Sequence, residues 1–140
     1  MRVQTFGEVR AQALLRGATL RLRAYGSLIK GLQTGLLVIT GMAGYASARP
    51  QGGLPAVAGS LALAIAGSTL LNMAYDRDID ALMARTARRP LPMGTVSAGE
   101  ALVLGLVLSA CGLAWALYLA PLYGLVVLAG VFFDVIVYTL

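Results

Sequence analysis

Four long apolar runs, separated by short breaks, dominate the pattern of hydrophobic and polar positions. The runs cover residues 27–47, 54–75, 98–119 and 122–140. Each has about the 17–25 residues that a helix needs to cross a hydrocarbon layer about 30 Å thick. Glycine and proline mark the breaks, in the segment 49–53 and at Pro121. Gly31 and Gly35 form a small-xxx-small pair, and the seventeen glycines in all predict closely packed helices. The pattern predicts an all-α fold, a polytopic membrane helix bundle with four transmembrane helices.

Composition agrees with a membrane environment. Hydrophobic residues make up 59% and charged residues 12% of the 140 positions, whereas a soluble domain carries about 25% charged residues. The net charge of +5 could indicate nucleic acid, but the basic residues flank apolar runs and have few aromatic residues among them. We therefore expect a lipid bilayer and no nucleic acid as a partner. The sequence contains no histidine, which excludes histidine catalysis and histidine ligation of metal or heme from this stretch.

Arginine and lysine are concentrated in two places. Six of the eleven basic residues precede residue 31, and four lie between residues 77 and 89. Four spans would put these two segments on the same side of the membrane, and positive residues mark the cytoplasmic side. We expect a basic cytoplasmic N-terminal segment over residues 1–25 and a transmembrane domain over 26–140, with the 76–97 loop cytoplasmic. The expected location is the cell inner (plasma) membrane. The mitochondrial inner membrane is the alternative, because an arginine-rich leader can be a transit peptide.

An oxygen-bearing row of side chains lies at the end of the second apolar run. Asn72, Asp76 and Asp80 recur every four residues. If the helix continues through them, each lies about 6 Å further along the axis and only about 40° further round it. Mg²⁺ accepts one or two carboxylates and completes its octahedron with water and phosphate oxygens. The row is therefore a candidate site for Mg²⁺ and a diphosphate.

Three arginines follow the row directly. Planar guanidinium groups, here Arg85, Arg88 and Arg89, can hold phosphate oxygens in pairs. Pro90 and Pro92 are predicted to keep this basic loop extended. The alternative is a solvated helix end, in which the acidic residues pair with the arginines and the arginines only obey the positive-inside rule.

Two further aspartates need separate interpretations. Asp78 lies about 200° round the helix from Asp76 and is predicted to pair with a basic neighbour rather than to bind metal. Asp134 lies inside the fourth apolar run, where an ionisable group usually faces a cavity or a partner. Three interpretations of Asp134 stay open: it faces a central cavity, it lies near the solvated boundary, or it belongs to a sequence without functional constraint.

The motifs of this segment resemble those of a known family. The segment 72–80 resembles the first aspartate-rich motif of the UbiA prenyltransferases, and the run 76–97 is similar to the heme O synthase branch of that family. The resemblance implies a fold of about nine helices, of which this chain would be the first four. It also implies Mg²⁺ as cofactor. The residues it points to are Asn72, Asp76 and Asp80 as metal ligands, Asp76 and Asp80 as catalytic residues, and Asn72, Arg85, Arg88, Arg89 and Lys30 as substrate-binding residues.

The implied reaction is transfer of a farnesyl group from farnesyl diphosphate to protoheme IX, giving heme O. The alternatives are another UbiA-type aromatic, quinone or lipid prenyltransferase, or a non-catalytic four-helix membrane protein. The sequence departs from the family's pattern where Lys30-Gly31 replaces Lys-Pro, where Asp134 replaces an aromatic or neutral residue, and where the second aspartate motif is absent. We therefore expect the missing C-terminal helices, or a second chain, to be needed to complete an active site.

Overall fold

The computed structural model describes residues 31–48 and 53–137, together with Thr19, Ala24 and Gly26. These residues form helices joined by turns, and no strand occurs among them. The helices are α1 (Gly31–Ala48), α2 (Leu54–Tyr75), α3 (Arg77–Leu82), α4 (Ala98–Leu119) and α5 (Pro121–Phe132), and α5 continues as a π-helix over Phe133–Val137. The prediction of an all-helical fold is therefore confirmed for the described part of the chain.

Local signals set the helix ends. Gly53 precedes α2 with a φ of 83°, a left-handed conformation that favours glycine. Ser97 opens α4 with a capping box: its hydroxyl accepts a hydrogen bond from the Glu100 amide at 3.1 Å, and the Glu100 carboxylate accepts one from the Ser97 amide at 3.0 Å. Pro121 begins α5, where its fixed φ suits the first helical turn. The second and third runs therefore match α2 and α4 residue for residue.

The bundle is built on the contact between α2 and α4, with α1 packed on α2 and α5 packed on α4. Small residues allow this approach. A Cβ atom at Gly67 would collide with Ser109 and with the Gly105 carbonyl, and one at Gly112 would lie 2.5 Å from the Ala64 amide nitrogen. Among the described residues, nothing lies within 4 Å of a Cβ placed at Gly31 or Gly35. The predicted close packing of helices is found between α2 and α4.

Helices α2 and α4 are each 22 residues long, and both are long and apolar enough to cross a membrane. Much of their surface faces away from the bundle, including large apolar side chains such as Leu102, Leu106 and Trp115. Outward-facing apolar surface of this kind is what a lipid environment stabilises. Among the described residues, helix α1 begins at Gly31, and α5 with its π-helical end covers residues 121–137 of the region where the span 122–140 was predicted.

Candidate functional site

The oxygen row lies at the junction of α2 and α3. Helix α2 ends at Tyr75, Asp76 has φ −78° and ψ 3°, and α3 begins at Arg77. The assumption of a continuous helix through the row is therefore wrong at Asp76, where the helix is interrupted. The interruption is small, because the Asp76 amide donates to the Asn72 carbonyl and the Asp80 amide donates to the Asp76 carbonyl, each at 2.8 Å. The helical spacing of four is thus retained in the backbone hydrogen bonds.

The carboxylates of this junction do not form a closed cage. Within the described ranges, no group of three or more aspartate, glutamate or cysteine side chains is arranged to hold a metal ion. Asn72 and Asp76 are half-buried and Asp80 is buried. The oxygen atoms are hard donors at a helix end, where the partial negative charge of the last carbonyls also favours a cation. This chemistry fits Mg²⁺ bound by one or two carboxylates with water and phosphate completing the shell.

Asp78 and Asp80, the last two aspartates of this segment, form different ion pairs. Asp78 pairs with Arg77 at 3.1 Å, and both side chains are exposed, which confirms that Asp78 pairs with a basic neighbour. Asp80 pairs with Arg89 at 2.8 Å, and only 12% of the Asp80 side chain is exposed. Arg88, the neighbour of Arg89, is exposed instead. Asp80 therefore has a partner already, whereas the sequence predicted it as a metal ligand.

The basic loop is coiled in turns. The amides of Thr86 and Ala87 donate to the Met83 carbonyl at 3.0 and 2.8 Å, and the Thr95 amide donates to the Pro90 carbonyl at 2.9 Å. The prediction that the prolines hold the loop extended is therefore wrong. Burial explains the difference, since the loop residues Leu91 and Val96 are each 2% exposed in the apolar core.

The remaining predicted contacts to substrate divide into two sets. Arg85 and Arg88 are both exposed on the loop, and neither guanidinium group forms a hydrogen bond or ion pair with another residue in the part of the chain that the structure describes. A phosphate could therefore reach them, in the loop that runs from Asp80 to its partner Arg89. Lys30 lies outside the described residues, so its predicted approach to the same site stays a prediction.

A cavity of about 600 Å³ lies among α1, α2 and α5. Its walls are almost entirely apolar, and its polar side chains are Tyr45, Ser68, Tyr123 and Asp134. The Tyr45 and Tyr123 rings meet edge to face with centroids 5.5 Å apart. The Tyr123 and Ser60 hydroxyls lie 2.9 Å apart, within hydrogen-bond distance. Sequence reasoning missed this cavity, although one of the three interpretations of Asp134 placed that residue on a cavity, as the structure does.

These features are those of a helical membrane protein in which an oxygen row and a basic loop lie together at one end of an apolar helix bundle. The chain belongs to the UbiA prenyltransferase family, because that family's model matches residues 35–140.

Several relatives are protoheme IX farnesyltransferases. The one from Archaeoglobus fulgidus is 42% identical over 122 residues, which are 86% of this chain and 43% of that protein. The one from Pyrobaculum neutrophilum is 43% identical over 122 residues, covering 84% of this chain and 44% of that protein. The one from Symbiobacterium thermophilum is 42% identical over 123 residues, covering 85% and 41%. The chain thus spans less than half the length of the curated relatives it matches. No solved structure matches the chain.

Proposed function

We propose that this chain forms the diphosphate-binding half of a Mg²⁺-dependent prenyltransferase that transfers a farnesyl group from farnesyl diphosphate to protoheme IX, giving heme O. The observation that carries the proposal is the basic loop folded beside the oxygen row, with Arg85 and Arg88 exposed on it. The relatives named protoheme IX farnesyltransferase support the heme acceptor over the other acceptors of the family.

The negative charge at the end of α2 supports the proposal that a metal ion binds at this site. The end of α2 presents carbonyl oxygens and the Asp76 carboxylate, a negative environment that repels a diphosphate on its own. In the proposed site Asn72, Asp76 and Asp80 provide oxygen donors to Mg²⁺. The bound metal supplies neutralisation of the charge that develops on the departing diphosphate. The basic loop that follows adds positive charge from Arg85 and Arg88, and this charge does not depend on a bound metal.

The arginines bind and orient the diphosphate in this proposal. Arg85 and Arg88 are exposed and separated by a single turn of the loop, so both guanidinium groups can approach the same anion from the loop side. Arg89 is turned toward Asp80 and contributes through the loop rather than by direct contact. Fixed positive groups aimed at the leaving oxygen atoms stabilise the transition state more than the ground state.

The apolar cavity is the proposed place for the isoprenyl chain. Its volume of about 600 Å³ falls in the usual range of ligand pockets, about 300–1,000 Å³. Ser68, on the cavity wall, precedes Asn72 by four residues of α2, which is about 6 Å along the helix. A diphosphate held at the oxygen row could therefore lead its apolar chain into the cavity.

The finer architecture is also part of the proposal. We place four spans in the membrane, counting α1 and the α5 segment, with the 76–97 loop on the cytoplasmic side of the inner (plasma) membrane. These four helices form the front of a nine-helix fold. The second aspartate motif and most of the protoheme contacts then come from further helices of the same polypeptide or from a second chain.

Transfer of label tests the proposed reaction. Membranes containing this chain are incubated with Mg²⁺, protoheme IX and labelled farnesyl diphosphate, with and without co-expression of the C-terminal half of the Archaeoglobus fulgidus relative. Chromatography then separates labelled heme O from protoheme. We expect product only when both halves are present, and none with Asp76→Ala. Product at an undiminished rate from Asp76→Ala membranes would contradict the assignment of the site.

A further inference from the structure

The cavity among α1, α2 and α5 is elongated along the helices. On α5 its lining extends from Tyr123 to Asp134, which lie about 16 Å apart along the helix. Tyr123 contacts Ser60 near the start of α2, and the π-helical end that carries Asp134 also packs against α2. Because α2 and α5 therefore run in the same direction, Ser68 lies toward the Asp134 end, four residues before Asn72. The cavity thus extends from near the oxygen row to Tyr123.

Two tyrosines close the end of the cavity that is far from the oxygen row. Tyr45 of α1 and Tyr123 of α5 both line the cavity, and their rings meet edge to face with centroids 5.5 Å apart. Rings at this distance are in direct contact, so a hydrocarbon chain cannot pass between them. The ring pair therefore forms an end wall between α1 and α5.

Hydrogen bonds to α2 hold the end wall in place. The Tyr123 hydroxyl donates to the Val57 carbonyl at 3.3 Å and lies 2.9 Å from the Ser60 hydroxyl. Val57 and Ser60 are both fully buried, and buried polar groups are costly to leave unpaired. The Tyr45 hydroxyl lies beside the start of α2, 3.7 Å from a Cβ placed at Gly53. Tyr123 is thus fixed to α2, and Tyr45 completes the wall from α1.

The distance from the end wall to the oxygen row matches a fifteen-carbon chain. Ser60 precedes Asn72 by twelve residues of α2, which is about 18 Å along the axis. A metal-bound diphosphate takes up about 5 Å of this length and leaves about 13 Å. An extended chain advances about 1.2 Å per bond, so the main chain of a farnesyl group spans about 13 Å and that of a geranylgeranyl group about 18 Å. The farnesyl group fits the remaining length, and the geranylgeranyl group exceeds it.

We propose that Tyr45 and Tyr123 determine the chain length of the isoprenyl substrate. Their ring pair ends the cavity where a fifteen-carbon chain ends, so that a twenty-carbon chain is excluded. This inference rests on the proposed function, and it adds to that function the two residues that select the substrate.

Substitution of Tyr45 tests the wall without disturbing the bonds of Tyr123 to α2. Tyr45→Ala removes one ring and opens the end of the cavity. Tyr45→Phe removes the hydroxyl and keeps the ring, so it should retain the wall. Tyr118→Ala is the matched control, because Tyr118 is 88% exposed on α4 and is not among the described residues that line the cavity.

Calorimetry with Mg²⁺ compares geranyl, farnesyl and geranylgeranyl diphosphate on each purified chain. In the wild type, farnesyl diphosphate should bind about tenfold more tightly than geranyl diphosphate, because more apolar carbon is buried. Geranylgeranyl diphosphate should bind about tenfold more weakly than farnesyl diphosphate, because the cavity is overfilled.

The ratio of the two longer ligands is compared within one preparation, so a lower folded fraction cancels. In Tyr45→Ala, geranylgeranyl diphosphate should bind within about threefold of farnesyl diphosphate, since the wall no longer overfills the cavity. Tyr45→Phe and Tyr118→Ala should keep the wild-type ratio. A wild type that binds both ligands equally, or a folded Tyr45→Ala with the wild-type ratio, would overturn the proposal. The wild-type series decides on its own where Tyr45→Ala does not fold.

Farnesol and geranylgeraniol, which lack the diphosphate, separate the wall from the proposed function. Native mass spectrometry measures how much of each alcohol the chain retains. We expect the wild type to retain about tenfold more farnesol than geranylgeraniol, and Tyr45→Ala to retain them about equally. If the wild type binds none of the diphosphates, the proposed function fails and the alcohols alone decide on the wall. Equal retention of both alcohols by the wild type would then overturn the inference.

Discussion

Gly112→Ala is expected to weaken the bundle at its tightest contact. The three atoms nearest to an added Cβ are all backbone atoms of α2, at 2.5, 2.8 and 2.9 Å. No side-chain rotation can relieve a contact with backbone, so α2 and α4 must separate. Moving the closest atom from 2.5 Å to the 3.4 Å of ordinary contact requires about 0.9 Å. Overpacking of this kind costs about 1–3 kcal/mol.

The assay is unfolding of the detergent-solubilised chain by increasing sodium dodecyl sulfate, followed by circular dichroism. Gly99→Ala is the matched control, since Gly99 lies in the same helix and no described residue has an atom within 4 Å of its added Cβ. Alanine is the better helix former there, so Gly99→Ala should be neutral or stabilising by up to about 1 kcal/mol. If Gly112→Ala is no less stable than Gly99→Ala, the close approach of α2 and α4 is refuted.

Three further outcomes follow from the contacts. Tyr123→Phe removes the hydroxyl 2.9 Å from Ser60 and should cost about 1 kcal/mol in the same unfolding assay; an unchanged midpoint would contradict that bond. Ser97→Ala removes the side-chain cap of α4 and should also cost about 1 kcal/mol, whereas an equal midpoint would show that the cap adds nothing. Arg85→Gln/Arg88→Gln should weaken Mg²⁺-dependent farnesyl diphosphate binding about tenfold and reduce its salt dependence; calorimetry at two salt concentrations checks this, and unaltered affinity would exclude these arginines.

The long helices could be predicted from the sequence because residues close to each end determine where they begin and end. Residues 54–75 and 98–119 are apolar runs bounded by turn-forming or capping residues, and α2 and α4 have those limits. Ser97 and Glu100 have the spacing of a capping box, a further signal for the start of α4. That Asp78 pairs with a basic neighbour also followed from helical geometry, which places Asp78 on the other side of the helix from Asp76.

The loop and the cavity depend on contacts between distant residues. Proline preferences predicted an extended loop, but burial of Leu91 and Val96 and the bond from Thr86 to Asp80 favour turns. The cavity combines residues of three helices, so no local pattern marks it. The glycine content predicted closely packed helices, but which glycines lie in a contact depends on the helix that lies opposite. The site was therefore found by its motif, while its internal pairing was not.

Calorimetric titration of farnesyl diphosphate into the detergent-purified chain tests the central claim most directly. It is run with Mg²⁺ and with chelator, on the wild type, on Asp76→Asn and on the Asp78→Asn control. The account predicts binding that requires Mg²⁺, that is lost or at least about tenfold weaker in Asp76→Asn, and that is unchanged in Asp78→Asn. A folded, helical chain that binds no farnesyl diphosphate, or binds it equally with chelator and with Asp76→Asn, would contradict the account.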